Sequence, residues 1–205
     1  MIILWKINHN ENESHINYTR HYCSVDLISQ FYLMSAQSTI EQYPYKVIKT
    51  FDNFEIRKYE GALFTSVKLP TNNYDKASSK GFSKLAGYIF GGNSENEKIA
   101  MTSPVAMTLE ENTEMLFLVP KAYSKENLPE PNNNSIEFKE IPAKKVAAIT
   151  FRGWANDKKI ASYKDKLIEL LNNNNIEYTN KFFFLGYNAP MEIVNRKNEV
   201  IVELK

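Results

Sequence analysis

One plan is written twice along this chain, and that constrains its fold more than any single motif. A set of β-patterned runs, three in the first stretch and two in the second, then an amphipathic helical run and two further β-patterned runs follow one another from about residue 43 to 122, and again from about 135 to 205. In the first stretch YKVIKTF, FEIRKYEG and ALFTSVKLP alternate apolar and polar residues, which predicts half-buried strands joined as a meander at Glu60-Gly61. Asn72 and Asn73 open a helix predicted from Tyr74 to Phe90, and Gly91-Gly92 suit its left-handed end. TSPVAMTLE and EMLFLVP follow as strands, with Val105 and Met107 expected on one face and Met107 in the core.

After the loop KENLPEPNNNS, the runs IEFKEIP and KKVAAITFRG repeat the paired strands. Asn156 or Asp157 then caps a helix that places Ile160, Tyr163, Leu167, Leu170 and Leu171 on one face. KFFFLGYN and NEVIVEL complete the second half. Glu55 and Glu137 stand 82 residues apart, and Pro104 of KIAMTSPV and Pro190 of GYNAPM stand 86 apart, so the two stretches hold one length. A long unit used twice predicts a pseudo-twofold domain rather than a solenoid, which needs three or more shorter units. The expected fold class is α+β: a distorted antiparallel β-barrel of two similar halves, each with one main helix packed outside the sheet.

The totals exclude several function classes. Twenty-five Lys and Arg balance twenty-four Asp and Glu, and no basic block accompanies regularly spaced aromatics, which argues against an extended nucleic-acid surface. Cys23 is the only cysteine, so neither an internal disulfide nor a CxxC zinc site can form. His9, His15 and His21 all fall in the first twenty-one residues, leaving the rest of the chain without an imidazole. No nucleophile with a base, carboxylate pair or phosphate-cradling loop is legible, and Gly91-Gly92 lacks the following lysine of a phosphate loop. No catalytic residue is therefore assigned and no enzyme activity expected, although Glu192, Glu199 and Glu203 flank the last loop and strand.

Residues 1–42 read as a flexible tail or a start assigned too early, ahead of a single domain over 43–205. Their apolar patches are too short to span a bilayer. The expected location is cytoplasmic; residues 27–36 within a leader of 1–36 form a weak export signal core, which keeps export as the alternative.

The segments FEIRKYEG, GFSKLAGYIFGGN, KIAMTSPV and GYNAPMEIVNRKNEVIVEL, in this order and spacing, resemble the SOUL family, also called the SOUL/haem-binding protein family. The resemblance covers about residues 43 to 204. It implies a distorted barrel of two similar halves and binding of haem or another tetrapyrrole, as carrier or buffer, without a defined reaction. Some members place a histidine, proposed as an axial iron ligand, where this chain has Lys58; a protonated lysine has no lone pair to donate, so no histidine axial ligand and no metal-ligating residue are expected. The alternatives are an effector-type module for another small flat apolar ligand and a small-molecule hydrolase.

In the family the tetrapyrrole lies between the first helix and the loop before the last strand. Carried onto this chain, the shelf comprises Phe82, Leu85 and Ala86, faced by Met191 and Ile193, while Lys84, Arg196 and Lys197 meet the propionates. Gly81 belongs with them by its size. Gly81 and Gly87 each cost the helix about 0.8–1.0 kcal/mol relative to alanine, which is offset where a second surface approaches closely, whether sheet or ligand.

Overall fold

The computed structural model describes residues 40–189, 192 and 194–205. Eleven strands and two helices occur among them: β1 (Glu41–Gln42), β2 (Tyr45–Thr50), β3 (Glu55–Tyr59), β4 (Ala62–Lys68), α1 (Tyr74–Ile89), β5 (Thr102–Ser103), β6 (Val105–Thr108), β7 (Glu114–Leu118), β8 (Ile136–Ile141), β9 (Lys144–Arg152), α2 (Asp157–Asn173), β10 (Tyr178–Gly186) and β11 (Lys197–Leu204). β1, inside the stretch expected to be tail, pairs in parallel with β5. The other nine strands form one sheet in the order β2-β3-β9-β11-β10-β6-β7-β4-β8.

Apart from the edge strand β2, that order reads the same backwards when the halves are exchanged, β3 for β8, β4 for β9, β6 for β10 and β7 for β11. The halves interlock. β3 pairs with β9 and β4 with β8, so the meander expected at Glu60-Gly61 does not form: the two strands flanking that corner stand second and eighth in the sheet. Alternation identifies a strand but not its partner, and here β3, β4 and β6 each take a partner from the other half, β9, β8 and β10. The match of Pro104 with Pro190 also dissolves. Pro104 immediately precedes β6, whereas position 190 lies between β10 and β11, the counterpart of the β6–β7 connection.

The two faces of the sheet take alternate residues. From β7, Met115 and Phe117 pack with the helices, and Leu116 and Leu118 join a second cluster with Tyr43, Tyr59, Phe64 and Ile201. Tyr43 touches both Tyr59 of β3 and Phe64 of β4, with ring centroids 4.5 and 5.2 Å away, so this face closes upon itself and is the inside of the curl. The helices cover the outside, each burying a stripe: Ala77, Gly81, Leu85 and Tyr88 from α1, and Ile160, Leu167 and Leu171 from α2. Burial of each large side chain contributes about 1.5–3 kcal/mol.

The helix starts are tied to each other. Asn156 caps α2 by accepting from the Lys159 amide, while Asp157, the other candidate, accepts from the Tyr74 amide and the Asn73 side chain at 2.7 Å each and so serves the start of α1. At the far end of α1, Gly91 has φ +108°, as the doublet predicts.

Candidate functional site

α1 does not lie flush on the sheet along its whole length. On the sheet-facing side a Cβ at Gly81 would stand 2.9 Å from Leu69 Cδ1 and 3.0 Å from Met115 Sδ, so glycine there permits close packing on the sheet. One position on, Phe82 turns aside, and from there α1, β6, β10 and the connection after β9 enclose a cavity of about 670 Å³. Such a volume suits a small-molecule site. Its floor is apolar, with Phe82 and Ala86 of α1, Val105 and Met107 of β6, and Phe184 of β10. Phe82 rests against Phe117 and Tyr74 against Phe184, both edge to face, at 5.4 and 5.1 Å.

Asp75, Ser78, Ser79 and Ser83 of α1, with Asn188 and Asn198, add polar groups to the lining, and Arg196 is its one cation among the described residues. Its Nη1 donates to the carbonyls of Ala189 (3.0 Å) and Glu192 (2.6 Å), and its guanidinium lies 4.3 Å over the Trp154 ring. Its Nε is buried and has no partner among the described residues. An N–H left so costs about 1–3 kcal/mol, a cost that an arriving acceptor would remove. The segment carrying Arg196 is pinned on both sides. Its carbonyl accepts from the Gly153 amide, Asn198 donates to the Gly153 carbonyl at 2.7 Å, and Asn188 accepts from the Lys197 amide at 2.6 Å. A second cavity of about 400 Å³, at the start of α2, shares Tyr74 and Met107 with the first.

Of the residues expected at the site, the structure brings Phe82, Ala86 and Arg196 to this cavity. Gly81 and Leu85 stand behind them, buried against the sheet, because the helical period turns them to its packed face. Lys84 and Lys197 are corrections. Lys84 projects away, its Nζ 3.3 Å from Ser135 Oγ. Lys197, one residue after Arg196, falls on the opposite face of β11, where it pairs with Glu199 at 3.0 Å and covers the Tyr187 ring. Met191 and Ile193 lie outside the described residues, as do the three histidines and Cys23. Among the described residues no cluster of His, Cys, Asp and Glu could hold a metal ion, and Lys58 is exposed and apart from the cavity. Trp154, Tyr74 and Asn198 were missed; an aromatic directly after a strand-ending glycine was the available signal for Trp154.

Inside the curl, one residue along β11 from Asn198, lies a different arrangement. Glu199 is fully buried, and both its oxygens are taken: Arg57 grips them at 2.8 and 3.1 Å, Tyr187 donates at 2.7 Å and Thr150 at 3.1 Å. Burial alone would raise the Glu199 pKa, but the hydrogen bonds and charge of Arg57 hold it below the ordinary value. Burial pushes the neighbouring Tyr59 hydroxyl up to about 12.

The described domain is thus a curled sheet with two helices outside and a cavity, of a volume that suits a small molecule, with one arginine at its rim. More particularly, the sequence model of the SOUL heme-binding protein matches residues 40–203, and the chain belongs to that family. It is 30% identical over 155 residues to heme-binding protein 1 of Xenopus laevis, covering 72% of this chain and 81% of that one. With human heme-binding protein 2 it shares 28% over 156 residues, covering 72% and 76% respectively. Among solved structures, the EcmrR C-terminal domain superposes with a TM-score of 0.59 at 11% identity, covering 78% of this chain and 98% of that domain, and a hydrolase from Listeria innocua with 0.55 at 7%, covering 77% and 94%. These last two share the fold.

Proposed function

We propose that this chain binds haem or another tetrapyrrole in the cavity beside α1, as a carrier or buffer without a reaction of its own, and acts in the cytoplasm. The observation that carries the reading is a cavity of about 670 Å³ with an apolar floor, whose rim arginine keeps a buried N–H without a partner among the described residues. The flat apolar face of the ligand would rest on Phe82 and Ala86, and a propionate would complete the guanidinium of Arg196 with a charge-assisted hydrogen bond. Met191 and Ile193 join the facing wall on the family resemblance. The ligand is held by its faces and its acid groups, without a histidine axial ligand, as the lysine at position 58 suggests.

Asp75 is the one carboxylate among the described residues lining the cavity. Glu199, the carboxylate best placed by sequence, is fully occupied and points to the other side of the sheet.

Hemin titration followed by absorbance tests the reading. A shifted Soret band saturating at one hemin per chain is expected, with binding abolished by Ala86→Trp, which fills the cavity. A spectrum that stays that of free hemin at micromolar protein overturns it.

A further inference from the structure

Trp154 presents a large indole at the mouth of the cavity, 57% exposed; among the described aromatic side chains Phe90 alone is as open. Its exposure does not come from a loose loop. Gly153 takes φ +82°, a conformation that side-chain-bearing residues rarely adopt, and turns the chain between β9 and α2. Both its backbone groups are held, the amide by the Arg196 carbonyl and the carbonyl by the Asn198 side chain. The ring is therefore fixed beside the cavity before any ligand arrives, and the Arg196 guanidinium already lies on it.

We infer that Trp154 is a specificity-determining residue of this site: its indole stacks on the π face of a planar aromatic carboxylate while Arg196 takes the acid group. The inference rests on the tetrapyrrole reading and deepens it. Three features point the same way. The ring is apolar surface left uncovered at a cavity edge, where a bound ligand would cover it. The guanidinium against it carries a buried N–H without an acceptor among the described residues. The cavity floor beyond it, Phe82, Ala86 and Phe184, is apolar and contains two more rings. Together they describe a slot for a flat molecule with an anionic edge. A rounded amphiphile with the same acid group would reach Arg196 and the floor but gain nothing from the indole face.

The test compares the full-length protein with Trp154→Phe and Trp154→Leu, using two carboxylate probes: protoporphyrin IX, which is planar and aromatic, and deoxycholate, which is saturated and curved. Leu keeps apolar area but has no ring. Trp154→Leu is expected to weaken protoporphyrin IX by about tenfold, the size of one aromatic stacking contact, and Trp154→Phe by about threefold or less. Deoxycholate should change by less than about twofold in either variant. Because the indole is exposed, both variants should melt with the wild type, which separates loss of binding from loss of fold. Equal protoporphyrin IX affinity in the Leu variant overturns the inference and leaves the tetrapyrrole site standing. Equal weakening of both probes also overturns it, since the ring would then be ordinary apolar wall. If deoxycholate binds none of the three proteins, the difference between Phe and Leu decides. Wild-type protein that binds no protoporphyrin IX and no hemin removes the functional reading and this inference together.

Discussion

Arg57 and Arg196 each lay a guanidinium on an aromatic ring, 4.4 Å over Tyr45 and 4.3 Å over Trp154, yet they do opposite work. Arg57, inside the curl and 3% exposed, meets Glu199 with two bonds and Glu55 with a third at 2.7 Å. Arg196, on the outer side, meets only backbone carbonyls and makes no ion pair among the described residues. One side chain has every nitrogen paired; the other keeps an Nε without a partner among the described residues. Alternation along β11 sets the two environments back to back, Asn198 facing the cavity and Glu199 the interior, so a single strand carries both a sealed ion pair and a half-finished anion site.

The contrast breaks most visibly at Arg57. Arg57→Ala would leave the buried Glu199 carboxylate with the part-exposed Lys197 ammonium as its remaining charge partner, which costs about 3 kcal/mol of stability, measured as a lower midpoint in urea with little change in the slope. Replacing both partners, Arg57→Met with Glu199→Leu, should recover part of that loss, because the charges it leaves, on Lys197 and Glu55, already reach water. If Arg57→Ala unfolds no more easily than wild type, the interior is wetter than its burial implies and the comparison fails.

Acid sharpens the same point. Because the folded pKa of Glu199 lies below its ordinary value of 4.5, its contribution is fully present above 4.5 and is lost as pH falls through the folded value. Wild-type stability should therefore drop below pH 4.5 more steeply than that of Glu199→Gln, whose side chain does not titrate. On the alkaline side Tyr59 acts in the reverse sense. Its neutral hydroxyl is favoured by burial, so its contribution is present below pH 10.0 and lost as pH rises through about 12. Parallel acid limbs for wild type and Glu199→Gln would show that Glu199 is not the group titrating.

How much of this could be read from the sequence differs between the two arginines as well. The strands, both helices and the left-handed Gly91 followed from periodicity and turn chemistry, which are local. Phe82, Ala86 and Arg196 were reachable through the family motifs. Pairing was not, since β3 and β4 adjoin in sequence and stand at opposite ends of the sheet. Lys197 was misplaced beside Arg196 because neighbours in a strand point to opposite faces, and the motif does not say which face is which. The Arg57–Glu199 pair joins residues 142 positions apart. Nothing local marks either as buried, and in a chain with 24 acidic residues a solvated glutamate was the natural expectation.

On the cavity side, Arg196→Ala should do to binding what Arg57→Ala does to folding, on a smaller scale. Stability is expected to change by less than about 1 kcal/mol, since the lost hydrogen bonds are partly exposed and the orphaned N–H goes with them. Hemin affinity should fall about tenfold, the equivalent of one charge-assisted hydrogen bond. The reverse pattern, a large loss of stability with binding intact, would make Arg196 a structural residue like Arg57.

The smallest effect is the most discriminating. Arg196→Lys keeps the positive charge but gives up the planar fork, the overlay on Trp154 and the Nε–H. If the site recognises an acid group by charge alone, lysine should restore wild-type affinity, because its ammonium reaches nearly as far. If the fork is what matters, an ammonium whose three donors radiate from one atom cannot reproduce the spacing between the bonds to the Ala189 and Glu192 carbonyls and the inward Nε–H, and affinity should fall about threefold, between wild type and the alanine variant. The charge remains in both cases, so raising the salt concentration should weaken wild type and the lysine variant in parallel, and the gap between them should persist. A gap that closes at high salt would mean that the difference was electrostatic after all, and that the geometry at Trp154 and Arg196 contributes little to holding the ligand.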